Sequence, residues 1–199
     1  MLSILGWLAI AVQFDLLIAN RKLSIASTVV QFFSYFTILT NILVALYCSI
    51  LLLSSSKRNM GFDNPSTATA LTVYIVIVGL VYNIILRFLW NPTGLQKLVD
   101  ETLHSEVPLL FLLYWFLFIQ KGNLKWKNAF PWLLYPIVYL FYILIRGILT
   151  DLYPYPFLEI TTIGITKVII NILVLCGVFL GMSLLFVGLG KLIKPGDVH

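Results

Sequence analysis

The apolar residues of this chain gather into six blocks, each roughly as long as the 18 to 25 residues an α-helix needs to cross a hydrocarbon core. The blocks run at about 2–19, 27–53, 67–90, 98–120, 130–147 and 163–190. Turn-forming runs separate them, among them Asn91-Pro92-Thr93-Gly94, Lys121-Gly122-Asn123 and Tyr153-Pro154-Tyr155-Pro156. Hydrophobic residues make up 60% of the 199 and charged residues 11%, against about 25% charged in a soluble domain. A soluble core of this length has no means of hiding so much apolar surface. The expected fold is all-α: a polytopic membrane protein, a six-transmembrane-helix bundle forming a single domain over 1–199, with no internal repeat and no soluble domain.

Charge sets the expected orientation. Six spans put both termini on one side, with Lys57, Arg58, Lys121, Lys125, Lys127, Lys191 and Lys194; the opposite loops hold Arg21, Lys22 and Lys97. The excess places the termini in the cytoplasm. The net charge of +5 includes no basic run of the kind that binds nucleic acid. Cys48 and Cys176 lie inside apolar blocks and read as small packing residues. No basic n-region precedes the first block and no small-residue cleavage site follows it, so it reads as a retained span.

Polar side chains within spans are costly and mark cavities, pathways or sites. Here they form stripes. Ser27, Gln31, Ser34, Thr37, Asn41 and Cys48 recur at helical steps on the second block; Thr72, Gly79, Asn83 and Arg87 do so on the third. Tyr135, Tyr139, Tyr142 and Arg146 line one face of the fifth, and Lys167 and Asn171 stand one turn apart on the sixth. Each stripe has a plainer reading, because small and hydroxyl residues line helix contacts in membranes and tyrosines gather at headgroup level. Asn83, Arg87, Arg146, Lys167 and Asn171 all fall toward the non-cytoplasmic ends of their spans, which points to one polar pocket opening to that side.

The fourth block opens as an amphipathic helix, with Leu95, Leu98, Val99 and Leu103 on one side and Lys97, Asp100, Glu101 and His104 on the other. His104 and His199 are the two histidines of the chain. Imidazole exchanges protons near neutral pH, and Asp100, one turn earlier, is a candidate for fixing its tautomer. Pro108 has no N–H for the carbonyl of His104, so a kink is expected at the histidine. The plainer reading is an interfacial histidine at the bilayer edge. Thr37 and His104 lie at similar depths, about 10 Å and about 9 Å at 1.5 Å per residue. Hydroxyl and imidazole form the minimal set for nucleophilic acyl transfer. No Cys/His spacing suits a metal.

The run Phe33-Ser34-Tyr35-Phe36-Thr37-Ile38-Leu39-Thr40-Asn41 resembles the second-span motif of the androgen-induced-gene/ADTRP family. His104 followed by Pro108 is similar to that family's fourth span, and Tyr155-Pro156-Phe157-Leu158-Glu159 to the segment before its last. Together with Leu80-Val81-Tyr82-Asn83 and Trp132-Leu133-Leu134-Tyr135-Pro136, the set looks like the family's prokaryotic branch. The resemblance implies six transmembrane helices, cytoplasmic termini and residence in a prokaryotic plasma (inner) membrane. It also implies a threonine hydrolase of fatty acid esters of hydroxy fatty acids, with Thr37 matching the nucleophile and His104 the histidine. Thr40 stands close enough to be the alternative nucleophile.

The expected function is therefore a membrane-embedded lipid ester hydrolase with Thr37 as nucleophile, His104 as base and no metal or organic cofactor. Asp100 is a candidate orienter, and Asn41 and Asn83 are candidate oxyanion donors. Arg87, Arg146, Tyr139 and Tyr142 are candidates for binding substrate, the arginines through a carboxylate. The partners are the bilayer and a fatty-acyl ester. The rival readings are a small transporter or channel, which lacks the expected inverted repeat, and a non-catalytic lipid-binding protein.

Overall fold

The structure, a computed structural model, describes residues 1–53, 64–89 and 91–193. The expected loop charges Lys57, Arg58 and Lys194, with most of the turn before Pro65 and the end of the third block at Trp90, lie outside them. Among the described residues the chain is helix and turn with no strand. Five helices are long and apolar enough to cross a membrane: Leu2–Ala19, Phe36–Leu53, Pro65–Phe88, Trp126–Thr150 and Ile165–Leu192. The chain forms two compact units, one from Met1 to Lys121 and the other beginning at Gly122.

In the first unit α1 (Leu2–Ala19) is followed by α2 (Ile25–Phe32), whose Ser24 cap accepts the Ser27 N–H at 3.2 Å. The second block, expected as one helix over 27–53, is two: α2 and α3 (Phe36–Leu53). The break falls around Ser34. Its Oγ donates to the Val30 carbonyl at 2.6 Å, and the main-chain bonds of Ser34 and Tyr35 tighten to Gln31 and Phe32, three residues back. The hydroxyl bond to the preceding turn accompanies this tightening, as such bonds often accompany a bend. Thr37 therefore sits in the first turn of α3 rather than midway along a continuous span.

α4 (Pro65–Ile84) starts on an Asn64 cap with Pro65 in its first turn and runs into a single 3-10 turn, Leu86–Phe88. The fourth block is α5 (Gly94–Glu101), a π turn over Thr102–Glu106 and α6 (Val107–Phe118). α1 lies antiparallel to α3. Ser49 Oγ donates to the Ala45 carbonyl and so receives Ser3 Oγ at 2.7 Å and Trp7 Nε1 at 3.1 Å. Ala9, Ile10, Phe32, Ile38, Val99 and Leu103 close the core between these helices. α4 runs antiparallel to α6, joined by a bond from Trp115 Nε1 to Thr69 Oγ1 at 2.8 Å. Lys121, expected as a loop anchor, is buried instead. Its ammonium donates to the Phe116 and Ile119 carbonyls and lies 4.8 Å from the Trp115 ring centroid, capping the end of α6.

The second unit holds a 3-10 turn at Trp126–Asn128, α7 (Ala129–Trp132), α8 (Leu134–Thr150), α9 (Ile160–Ile163) and α10 (Ile165–Leu192). The Tyr153 ring fills the space a Cβ on Gly147 would take, so glycine lets the loop after α8 fold back on it. Phe141, Ile145 and Leu149 on α8, and Ile169 and Leu173 on α10, are exposed, an apolar surface suited to lipid.

Candidate active site

Pro108 shapes the site. In the π turn the Val107 N–H bonds the carbonyl of Thr102, five residues back, and bypasses Leu103. The next residue is proline, so Leu103 receives no N–H from either position, and His104 loses the one at Pro108. Neighbouring helices supply the missing donors. Asn41 Nδ2 reaches the Leu103 carbonyl at 3.2 Å, and Asn83 Nδ2 reaches that of His104 at 3.4 Å. The expected kink at the histidine is thus a π turn clasped by two asparagines.

The same bonds correct the expected role of those asparagines. Asn41 Nδ2 also donates to the Thr37 carbonyl at 2.9 Å, and Asn83 Nδ2 to the Gly79 carbonyl at 2.8 Å and Ser105 Oγ at 3.3 Å. Their amide protons are committed, which leaves none for an oxyanion. Asn41 Oδ1 is fully buried with no partner among the described residues. Because its amide touches both the Thr37 and the Leu103 main chain, Asn41 joins the first turn of α3 to the π turn.

His104 is half-buried. Its Nδ1 lies 2.9 Å from the main-chain oxygen of Asp100. A carbonyl oxygen only accepts, so Nδ1 carries the proton of the neutral ring and Nε2 presents its lone pair. Asp100 thus meets the histidine through its backbone and not through its carboxylate. Its carboxylate receives Gln96 Nε2 at 3.1 Å, and the same nitrogen donates to Gln13 of α1 at 2.9 Å. The Tyr82 ring stacks on the imidazole, with centroids 4.1 Å apart and planes 18° apart. Gly79 lies under the turn, where a Cβ would stand 3.1 Å from the His104 carbonyl oxygen.

Of the two candidate nucleophiles, Thr37 keeps 8% exposure and Thr40 none. The Thr37 hydroxyl and His104 Nε2 have no hydrogen-bond partner among the described residues.

Arg87 pairs with Glu101 and lies over the Tyr82 ring, 5.6 Å from its centroid. Glu101 also accepts Ser105 Oγ at 3.1 Å. The guanidinium expected to bind a substrate carboxylate is held by a carboxylate of the protein.

Arg146, Tyr139 and Tyr142 belong to the second unit. Arg146 is 8% exposed and donates through Nη1 to the Leu152 carbonyl at 3.0 Å. Asn171 Nδ2 donates to the Phe157 carbonyl at 2.8 Å. Both hold the segment 152–159, within which the Tyr155 and Phe157 rings stack with centroids 5.2 Å apart. Tyr139 is buried, Tyr142 is exposed, and Lys167 is exposed near the start of α10.

Tyr82, Glu101 and Ser105 were not singled out from sequence as site residues. An aromatic one position away from a polar stripe reads as packing, and its neighbour Asn83 was the available signal. Protein-family models, curated proteins and solved structures include no match to this chain.

Proposed function

We propose that the chain is a six-span, membrane-embedded hydrolase of lipid esters, with Thr37 as nucleophile and His104 as general base. The observation that carries the reading is the bond from His104 Nδ1 to the Asp100 carbonyl, which leaves Nε2 basic on a π turn that Asn41 ties to the turn of Thr37. In this reading the helical run from Gly94 to Phe118, with its π turn, is the sixth span beside the other five. π turns interrupt helices preferentially at functional positions. The resemblance to the androgen-induced-gene/ADTRP family supports the same pair of residues, an ester of a hydroxy fatty acid as the substrate class, cytoplasmic termini and a prokaryotic inner membrane.

In this mechanism Thr37 Oγ attacks the acyl carbonyl while its proton passes to His104 Nε2. The tetrahedral intermediate collapses, the ester C–O bond breaks, and Nε2 returns the proton to the departing alcohol. Water then attacks the acyl-threonine, giving one proton to Nε2 and releasing the fatty acid as Thr37 recovers its hydrogen. With the asparagine amides committed, neither Asn41 nor Asn83 supplies the oxyanion donor. Thr40, fully buried, is the weaker nucleophile candidate.

The test is hydrolysis of fatty acid esters of hydroxy fatty acids by purified protein in lipid nanodiscs. Wild type turns over, while Thr37→Ala and His104→Ala each lose at least about 100-fold in kcat, the scale general-base removal commonly reaches. Undiminished turnover by Thr37→Ala rules the mechanism out.

A further inference from the structure

We infer that Tyr82 is a positioning residue for His104, the wall that fixes the plane of the imidazole and so the direction of Nε2. The inference rests on the hydrolase reading for its consequence in catalysis, but its structural content stands apart from that reading. A single hydrogen bond at Nδ1 holds one point of a ring; when the plane swings, the N–H leaves the line to the Asp100 oxygen, the bond weakens and the second tautomer becomes populated. The stacked phenol removes this freedom: at 4.1 Å and 18° the two rings are nearly parallel and in contact, an arrangement that aromatic side chains favour.

α4 meets the histidine at three successive places. Gly79 admits the His104 carbonyl, Asn83 donates to that carbonyl, and Tyr82, between them in sequence, covers the ring face. Tyr82 is itself held. It is 5% exposed, and Arg87, paired to Glu101, lies over its ring. The charged and titratable groups around the imidazole are thus Asp100 and Glu101 of its own segment, Tyr82 of α4 and Arg87 of the 3-10 turn that follows it. The ring face of Tyr82, rather than its hydroxyl, touches the histidine. Phenylalanine is therefore expected to serve in its place, whereas an aliphatic side chain, lacking a flat face, is not.

The chain has two histidines, so nitrogen NMR of protein labelled only at histidine resolves His104 once His199→Gln removes the other signal. In that background at alkaline pH, His104 is expected as the single tautomer protonated at Nδ1, with widely separated ring-nitrogen shifts. Tyr82→Phe keeps this signature and keeps kcat within about twofold, whereas Tyr82→Leu averages the two shifts and lowers kcat about tenfold, a barrier change of about 1.4 kcal/mol, with KM unchanged. Unfolding midpoints within a few degrees of wild type confirm that the variants fold, and Tyr82→Phe supplies the folded comparison if Tyr82→Leu does not. A wild-type tautomer signature in Tyr82→Leu, or its loss in a folded Tyr82→Phe, overturns the inference whatever the hydrolysis assay gives. A tautomer lost in Tyr82→Leu and kept in Tyr82→Phe, in a protein whose wild type hydrolyses no ester, upholds the positioning and removes the hydrolase reading.

Discussion

Asn41 donates its side-chain amide to the main-chain carbonyl of Leu103, 62 residues away, across 3.2 Å. That carbonyl has no other donor within its own helix, because the π turn skips it and Pro108 lacks an N–H. Leaving such a buried group unsatisfied costs about 1–3 kcal/mol. Asn41→Leu is therefore expected to lower unfolding stability by that amount, measured by denaturant titration in detergent. The loss of activity should be larger than this implies, since the same amide also holds the Thr37 carbonyl. A variant as stable as wild type contradicts the clasp.

Pro108 imposes the π turn at the expense of regular helix. Proline in a helix interior costs about 3 kcal/mol relative to alanine, so Pro108→Ala is expected to leave stability unchanged or raise it while kcat falls more than about tenfold. The restored N–H lets the turn relax toward α geometry and displaces the His104 ring from the position the π turn gives it. Thermal unfolding and turnover measured on the same preparation check the two opposite signs.

Two glycines make a matched pair. At Gly79 an added Cβ meets the His104 carbonyl oxygen at 3.1 Å and Pro108 Cβ at 3.2 Å, whereas at Gly177 it meets nothing within 4 Å. Gly79→Ala should destabilise by about 1–3 kcal/mol through overpacking and impair turnover. Gly177→Ala should be neutral, or stabilising by up to about 1 kcal/mol from helix propensity. Equal effects from the two substitutions contradict the packing of α4 against the π turn.

Lys121 caps α6 from a buried position, donating to the Phe116 and Ile119 carbonyls. Lys121→Met keeps the stem but removes both bonds. Hydrogen bonds to charged groups contribute about 1.5–3 kcal/mol, so a loss toward the lower figure is expected by denaturant titration, with no effect on the histidine spectrum.

The membrane helices were legible because hydropathy over some twenty residues is a property of the segment alone. The disturbance at His104 was legible for the same reason: Pro108 lacks its N–H whatever the fold. The break at Ser34 was not, since serine occurs within continuous membrane helices and its bond to Val30 becomes decisive only once the chain turns there. The asparagines were recognised as misplaced polar groups, but their partners were hidden. Leu103 and His104 are remote in sequence, and an orphaned carbonyl on another helix leaves no mark in the segment that satisfies it. Arg146 and Asn171 were read as pocket lining for the same reason, although each holds a carbonyl of the loop before α9.

In the proposed mechanism Thr37 becomes acylated. Reaction of the purified protein with a fluorophosphonate, followed by digestion and mass analysis, tests this most directly. One phosphonyl group should appear on the peptide carrying Thr37, persist in Thr40→Ala, and vanish in Thr37→Ala and His104→Ala. An adduct that survives in Thr37→Ala, or a folded wild-type protein that takes up none while hydrolysing ester, would contradict it.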